Sequence, residues 1–377
     1  MKKISYNIEF YKICTIALYL VFNFINRDIS NIFLILALLL SIIDYKKLLE
    51  SVREHEAVCK SVVLFSIWIL SLGVMSSSPA HELDNYFRLL FLLPLLSINL
   101  TEKILYRLIL VITLSALAHY FHLLDFTFNS PFIETDNRYQ GTASNQITYA
   151  NLLMTIIILA IYLLTRSSSL KNNLFLIASI IVLTFLFSET GTRGPLISLI
   201  ISFFIMIFLT KNIKISVFPL IFFSIIILTP NGLSDRLSGL TSLSESKDES
   251  INERIFYLKY GLESISKHPV FGVGPHNIES NLSDYLDQKN LKYEPRDHLH
   301  NEYLDITAKF GLPAFLLLLT CYYFFYFSVR GENSKIVLFI LVSLIASQLT
   351  QSHFAHHQAI TFFITLIYLF LSKKSHV

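Results

Sequence analysis

Residues 189–209 read ETGTRGPLISLIISFFIMIFL, a turn with one arginine followed by fifteen residues that carry no charge. Pro195 suits the first turn of a helix, because its missing amide hydrogen needs no intrahelical partner there. A helix crosses the hydrocarbon core of a bilayer with roughly 17–25 mostly apolar residues. This stretch therefore predicts a transmembrane helix that begins directly after the turn holding Arg193.

Eleven further apolar runs fit, or nearly fit, the same description. The chain is 53% hydrophobic and 15% charged over 377 residues, whereas average soluble domains carry about 25% charged residues. The sequence therefore predicts an all-α polytopic membrane protein with about twelve transmembrane helices. The twelve runs lie at about 10–26, 29–43, 60–76, 83–98, 103–124, 147–165, 173–187, 195–209, 214–229, 312–328, 335–352 and 357–371.

The run at 83–98 is the weakest, because Arg88 and Pro94 lie inside it, and it could be re-entrant. Lys and Arg favour cytoplasmic loops, and their distribution argues for keeping this span. With twelve spans and a cytoplasmic N-terminus, the inner segments hold seventeen Lys and Arg and the short outer segments hold four. We expect both termini to be cytoplasmic and the first span to remain uncleaved.

Residues 230–311 form the one long polar segment, and we predict that it is a large, partly helical periplasmic loop. Long loops escape the charge rule, so its nine Lys and Arg do not contradict an outer location. Ile255, Leu258, Leu262 and Ile265 recur at helical spacing and predict a helix with these residues on one face. A second helix is predicted at 277–288. The chain then divides into residues 1–229 with transmembrane helices 1–9, the loop at 230–311, and residues 312–377 with helices 10–12.

Two arginines are candidates for binding an anion. Arg193 lies in a very short turn between apolar runs, where an unpaired charge near hydrocarbon costs about 2.5–3.5 kcal/mol or more. It therefore faces an anion or a carboxylate, although snorkelling to Glu189 or to lipid headgroups is an equal alternative. Arg254 opens the helical pattern of the loop beside Glu253, and on spacing alone a solvated helix charge is the better interpretation.

His300 lies in Asp297-His298-Leu299-His300-Asn301-Glu302, directly before the tenth predicted span. It is a candidate general base, because imidazole titrates near neutral pH. His298 and His300 could also bind a metal with Asp297, but alternate residues point to opposite sides of a strand and lie about 200° apart on a helix. A polar residue that caps the tenth helix is the third interpretation.

The remaining signals are weak or negative. Glu82 and Asp84 could form the acidic pair of a metal-dependent glycosyltransferase, but the chain has no Asp-x-Asp motif. We therefore expect no metal. The Gly272-x-Gly274 turn is too short for a nucleotide-binding fingerprint, so no cofactor is expected. A net charge of +3 without a basic patch argues against nucleic acid, and the three cysteines lie outside the loop, so no disulfide is expected there.

Four motifs, in this order, resemble the O-antigen ligase family, within the larger group that includes O-antigen polymerases and bacterial O-oligosaccharyltransferases. The resemblance covers roughly residues 135–320, and the first 130 residues match only in hydropathy. The motifs are Gly191-Thr192-Arg193-Gly194, Glu253-Arg254, His268-Pro269-Val270-Phe271-Gly272-Val273-Gly274, and His298-Leu299-His300-Asn301-Glu302-Tyr303-Leu304 leading to Gly311.

This resemblance implies a C-type glycosyltransferase of the bacterial inner membrane. Such a ligase moves a finished glycan from undecaprenyl diphosphate onto a sugar of the lipid A core at the periplasmic face. Its partners are therefore the lipid-linked donor, the lipid A core and membrane lipids. On this chain the resemblance implies that Arg193 and Arg254 bind the diphosphate and that His300 takes the acceptor proton. Further candidates are Arg138, His298, Asn301 and Glu302.

Other functions remain open at this point. A polysaccharide polymerase uses the same donor, and a protein O-oligosaccharyltransferase differs only in its acceptor. A transporter of lipid-linked sugars would show internal repeats and broken helices near the midplane of the membrane. The polar residues of this chain instead cluster at the predicted outer surface, which favours an enzyme.

Overall fold

The computed structural model describes residues 2–124, 134–135, 138–211, 215, 218–219, 222–225, 249–289, 293–329, 331 and 333–372. The first helices are α1 (Lys2–Phe22), α2 (Arg27–Ile43), α3 (Tyr45–Glu54), α4 (Glu56–Met75), α5 (Ala80–Leu83), α6 (Arg88–Phe91) and α7 (Glu102–Tyr120), with a 3₁₀ turn at Leu93–Ser97. Two short strands, β1 (Glu134–Thr135) and β2 (Arg138–Tyr139), pair antiparallel. The later helices are α8 (Gln146–Arg166), α9 (Leu170–Glu189), α10 (Arg193–Thr210), α11 (Glu249–Lys267), α12 (Asn277–Gln288), α13 (Glu302–Phe327), α14 (Asn333–Gln348) and α15 (His357–Leu371).

Six of the described helices are long and apolar enough to cross a membrane, namely α4, α7, α8, α9, α10 and α13. This confirms an all-α membrane protein. Helix α8 lies at the centre of the bundle, with 94% of its apolar window buried, and it packs against α7, α9, α10, α14 and α15. Most of the predicted span at 214–229, and residues 226–248 around the start of the predicted loop, lie outside the described residues.

The predicted span at 83–98 does not form a continuous helix. Helices α5 and α6 and the 3₁₀ turn are short pieces, and Pro94, near the start of that turn, lacks the amide hydrogen that a helix interior needs. The segment nevertheless runs the length of α15, about 22 Å at 1.5 Å per residue. Its Tyr86 ring stacks on Phe354, just before α15, while its Ile98 carbonyl accepts a hydrogen bond from Ser372, just after α15.

Carbonyl groups freed by this irregular segment find donors on neighbouring elements. The Tyr368 hydroxyl donates to the Leu89 carbonyl at 2.8 Å, and the Lys12 ammonium lies 3.5 Å from the Ser97 carbonyl. Irregular backbone at membrane depth is tolerated where protein groups satisfy it in this way. The segment therefore packs inside the bundle. Its side chains Leu89, Leu92, Leu95 and Leu96 are all at most 1% exposed.

Helix α13 starts ten residues earlier than the predicted span at 312–328, and it is broken at Gly311. Gly311 has a φ of 78° and a ψ of 171°, a conformation that glycine adopts readily. A Cβ atom at this position would lie 1.9 Å from the Val270 carbonyl oxygen. The break lets the loop backbone pack directly against the helix.

The motif at 268–274 supplies hydrogen-bond partners to the backbone groups at the broken turn of α13. The Val273 and Gly274 amides donate to the Ala308 and Lys309 carbonyls at 2.8 and 3.0 Å, and the Leu312 amide donates to the Pro269 carbonyl at 2.8 Å. The Trp68 indole donates to the Phe310 carbonyl at 2.9 Å. These bonds replace the intrahelical partners that the break removes. The motif therefore anchors the loop to the membrane helix.

Helices α11 and α12 confirm the two helices predicted in the loop, and the apolar residues that share one face of α11 lie largely on its exposed side. Ile255, Leu258 and Leu262 are 46%, 46% and 56% exposed. The opposite, aromatic face is buried instead, because larger rings remove more apolar surface from water. The core of this helix pair comprises Phe256, Tyr257, Tyr260, Ile278, Leu282, Leu286, Leu299, Leu304 and Ala308.

Candidate functional site

His300 lies where the loop enters α13, and its backbone is strained. Its φ is 53°, in the left-handed region that costs a residue with a Cβ roughly 1–3 kcal/mol. The neighbours on both sides are fixed. The Leu299 amide donates to the Asp305 carboxylate at 3.0 Å, and Asn301 caps α13 by accepting from the Leu304 amide at 3.0 Å. The backbone therefore presents the imidazole in one place.

The imidazole of His300 is held between two other rings. It stacks on Tyr257 with centroids 5.7 Å apart and meets His298 edge to face at 4.5 Å. Tyr257 is itself fixed, because its hydroxyl lies within hydrogen-bond distance of two acceptors, the Glu253 carboxylate at 2.7 Å and the Glu294 carbonyl at 2.9 Å. Glu253, the neighbour of Arg254 in the sequence motif, therefore supports the ring beneath His300.

Arg254 and His300 line the same cavity, of about 250 Å³. Its other walls are mainly apolar. They come from α11, from the residues around the start of α13, and from the segment that follows α14. The cavity thus combines one guanidinium, one imidazole and an apolar wall. The full lining is Arg254, Ile255, Leu258, Leu299, His300, Asn301, Leu304, Leu349 and Thr350.

Arg193 is the first residue of α10, and its neighbour Gly194 lies close to one wall of this cavity. A Cβ at the next residue, Gly194, would lie 2.5 Å from the Thr350 hydroxyl oxygen, so the turn touches a residue that lines the cavity. Helix α10 also packs against α14, which ends two residues before Thr350. The structure therefore gathers Arg193, Arg254 and His300 around one segment, residues 349–351.

The pKa of His300 is lowered to about 3, first by burial and then by the positive charges of His298, Arg254 and Arg296. A hydrogen bond with Gln351 acts in the opposite direction. The imidazole is therefore neutral at pH 7 and has a lone pair available. Its Nδ1 atom is buried and has no hydrogen-bond partner among the described residues.

His298 is a neighbour of the site rather than a wall of the cavity. Its Nδ1 lies 2.7 Å from the Asp297 carboxylate, and this hydrogen bond is the main reason that the pKa of Asp297 falls to about 2. Its ring also meets His356 at 5.3 Å. The pair with Asp297 orients the ring that touches His300.

Asn301 and Glu302 have structural contacts in this arrangement. The Asn301 side chain donates to the Leu349 carbonyl at 3.0 Å, and the fully buried Glu302 carboxylate accepts from the Phe354 amide at 2.9 Å. Both residues therefore tie α13 to the segment after α14. For the further candidate Arg138, the structure describes the backbone in β2, and its side chain lies outside the described residues.

Among the described residues, no group of three His, Cys, Asp or Glu side chains is placed to bind a metal ion. Glu82, one half of the weak acidic pair, forms a hydrogen bond with His276 instead, at 2.9 Å. Asp84 lies 3.8 Å from Arg88. Glu82 and Asp84 therefore each have a side-chain partner.

Sequence analysis missed Tyr257, Thr350 and Gln351. The only available signal was the pattern His353, His356 and His357 where the last two apolar runs meet, which favours a polar outer turn over a metal site. Residues 349–356 do connect α14 and α15, but half of them are buried: Gln351, Ser352, His353 and Phe354 are at most 2% exposed. The connection is therefore a wall of the site.

The fold and the site define a polytopic membrane protein with a buried imidazole and arginines at one end of its bundle. Residues 177–319 match the family described as O-Antigen ligase, which confirms the resemblance to that family. The matched residues include Arg193, Arg254 and His300, whereas Arg138 precedes them. This domain supports a membrane glycosyltransferase of the O-antigen ligase or polymerase type.

One curated relative covers nearly the whole chain. An uncharacterized protein of Haemophilus influenzae (strain ATCC 51907 / DSM 11121 / KW20 / Rd) is 23% identical over 357 residues, which is 86% of this chain and 88% of that protein. The similarity therefore extends beyond residues 177–319, into the helices on both sides.

Proposed function

We propose that this protein is an O-antigen ligase, which transfers a glycan from undecaprenyl diphosphate onto the lipid A core at the periplasmic face of the bacterial inner membrane, without a metal. The observation that carries the proposal is the cavity shared by Arg254 and His300. It unites a group that binds diphosphate with a group that accepts a proton.

Arg254 and Arg193 hold the diphosphate of the donor. Guanidinium groups bind phosphate oxygens in bidentate fashion and keep their charge at any physiological pH. The exposed Ile255 and Leu258 side chains, on the same helix as Arg254, line the same cavity. An apolar wall beside a cation suits a lipid diphosphate, because the polyprenyl chain and the anion then find matching surfaces.

The reaction is a single displacement. The acceptor hydroxyl oxygen attacks the anomeric carbon of the donor glycan, and the bond from that carbon to the phosphate oxygen breaks. The electron pair of that bond passes to the diphosphate, where the arginines stabilise the growing negative charge. The acceptor proton passes to His300. Attack from the face opposite the leaving group inverts the configuration at the anomeric carbon.

His300 is suited to this role because it is neutral before the reaction. The positive charge of Arg254 is one cause of the low pKa of His300. A bound diphosphate offsets that charge. Donor binding therefore raises the basicity of His300 when a proton has to be accepted. His298 acts as a positioning residue through its contact with the His300 ring, and Asn301 and Glu302 hold the surrounding segments.

The proposed orientation places the His300 end of the bundle in the periplasm and both termini in the cytoplasm. It is supported by the excess of Lys and Arg in the segments at the opposite end. Reporter fusions at Ser246 and Ser375 test it. A periplasmic signal at Ser246 and a cytoplasmic one at Ser375 are expected, and a cytoplasmic signal at Ser246 contradicts the proposal.

A deletion strain tests the reaction itself. A ligase gives loss of all long-chain lipopolysaccharide bands, with the finished glycan accumulating on undecaprenyl diphosphate. Core capped with a single repeat would identify a polymerase instead. Purified protein should retain transfer activity in chelator, because the arginines supply the positive charge; activity that requires an added divalent ion would contradict the metal-free reaction.

A further inference from the structure

A second cavity, of about 610 Å³, is linked to His300 through Asp297 on its wall and through His298, whose ring meets that of His300. Its walls come from the segment at 81–86, from the start of α12, and from Asp297, Lys309 and Phe354. Asp297 lines it directly and is hydrogen-bonded to His298. The Asp297–His298 pair therefore connects this cavity to His300.

The lining of this second cavity suits a sugar. Tyr86 and Phe354 form part of one wall, where their rings stack on each other at 5.2 Å and 18° and stay at most 3% exposed. Asn85 and Asn277 add amides that donate and accept hydrogen bonds. The Glu82 carboxylate bonds to His276 through one oxygen, while its other oxygen is buried and has no hydrogen-bond partner among the described residues.

The charges of the two cavities differ in sign. The charged side chain of the His300 cavity is Arg254, whereas the second cavity has three carboxylates, Glu82, Glu279 and Asp297. Its buried cation, Lys309, pairs with Asp305 at 2.8 Å. Like charges at short distance repel, so the second cavity disfavours phosphate and favours hydroxyl or amino groups.

We propose that this second cavity binds the acceptor, as a sugar with free hydroxyl or amino groups and without phosphate. The inference rests on the proposed function. A sugar bound against Glu82 lies in the cavity that Asp297 and His298 connect to His300, while the donor diphosphate occupies the cavity of Arg254. The charge difference thereby sorts the two substrates into different cavities.

The test measures acceptor and donor KM for Glu82→Gln and, separately, for the exposed Glu279→Gln. Removing a charged hydrogen-bond partner is expected to raise the acceptor KM at least about tenfold in Glu82→Gln, with the donor KM unchanged. Glu279→Gln removes the same charge from the rim of the cavity and supplies a second result if Glu82→Gln does not fold. The control is Glu263→Gln, which removes a carboxylate from the same loop but pairs with Lys267 and lines another cavity.

A second arm uses acceptor oligosaccharides with and without phosphate as competitors. The form without phosphate should compete better in the parent protein, and Glu82→Gln should narrow the difference. An acceptor KM that stays unchanged in both cavity variants, with equal competition by the two oligosaccharides, overturns the inference. Transfer that is absent even in the parent protein would instead contradict the proposed function.

Discussion

The two ends of the helical bundle differ in the kinds of polar side chain that they bury. At the end away from His300, the buried Lys12 pairs with Glu9 at 3.0 Å and with Asp44 at 2.9 Å, and Arg166 pairs with Glu102 at 3.0 Å. At the His300 end, imidazole nitrogens of His298 and His300 are buried and have no hydrogen-bond partner among the described residues.

This difference separates groups that stabilise the fold from groups that are held for chemistry. Buried polar atoms are nearly always hydrogen-bonded, so each exception asks for an explanation. The His300 end also holds the strained φ of His300 and a cluster of histidines, His298, His300, His353 and His356, in which the pKa values of the last three are lowered chiefly by burial. Departures from the usual backbone and hydrogen-bonding preferences of this kind are expected at functional sites.

The largest effect expected at the His300 end is on stability, from Gly311→Ala. The new Cβ would lie 1.9 Å from the Val270 carbonyl oxygen, and the positive φ alone costs about 1–3 kcal/mol. We expect the free energy of unfolding to fall by at least about 3 kcal/mol, measured by thermal unfolding in detergent. Leu312→Ala, at a side chain that is 44% exposed, is the control, and equal stability of the two variants would contradict the anchoring role of the break.

At the opposite end, Lys12→Met should affect stability alone. Asp44 loses its buried charged partner, which costs about 1–3 kcal/mol, while Glu9 keeps Lys47 at 2.6 Å. The matched control is Lys60→Met, whose pair with Glu56 is 71% and 64% exposed and contributes less than about 1 kcal/mol. Transfer activity per folded molecule should not change, and a selective loss of activity would show that the two ends are coupled.

The smallest expected effect is a shift in pH dependence. Because the pKa of His300 is about 3, kcat/KM should not decline as pH falls from 8 to 6. The positive charges of His298, Arg254 and Arg296 lower this pKa, so Arg254→Gln should raise it and move the acid limb to higher pH. Lys259→Gln, on an exposed face of the same helix, is the control. An acid limb near 6.5 in the parent that Arg254→Gln leaves in place would contradict this electrostatic account.

Much of the fold could be predicted because apolar helices carry a simple signal. The bounds of α8 and α10 lie within two residues of the predicted runs, and α12 was predicted at its observed residues. The segment at 83–98 was harder, because Pro94 and Arg88 interrupt its pattern and its broken backbone depends on donors from α1 and α15. Such long-range hydrogen bonds have no local signature in the sequence.

The site could be predicted only in part, because its assembly also depends on contacts between residues far apart in the sequence. Short motifs identified Arg193, Arg254 and His300, but each had an unremarkable alternative until the structure gathered them around residues 349–351. The spacing of Ile255, Leu258 and Leu262 predicted helix α11 and their shared face, but it does not tell which face of the helix is buried. In the structure Ile255 and Leu258 line the cavity and Leu262 follows them on the same helix. An apolar side chain can contact a lipid substrate there, just as it would contact other apolar side chains in a core.

The central claim is that His300 performs the chemistry while the arginines hold the donor, and paired assays on the same preparations test it. Transfer from lipid-linked donor to rough lipopolysaccharide should fall about 10²–10⁴-fold in His300→Ala, with donor binding within a few-fold of the parent. Arg193→Ala should weaken binding and rate together, and Arg193→Lys should restore them only in part. The exposed His268→Ala is the control. A folded His300→Ala protein that transfers glycan within a few-fold of the parent would contradict the account.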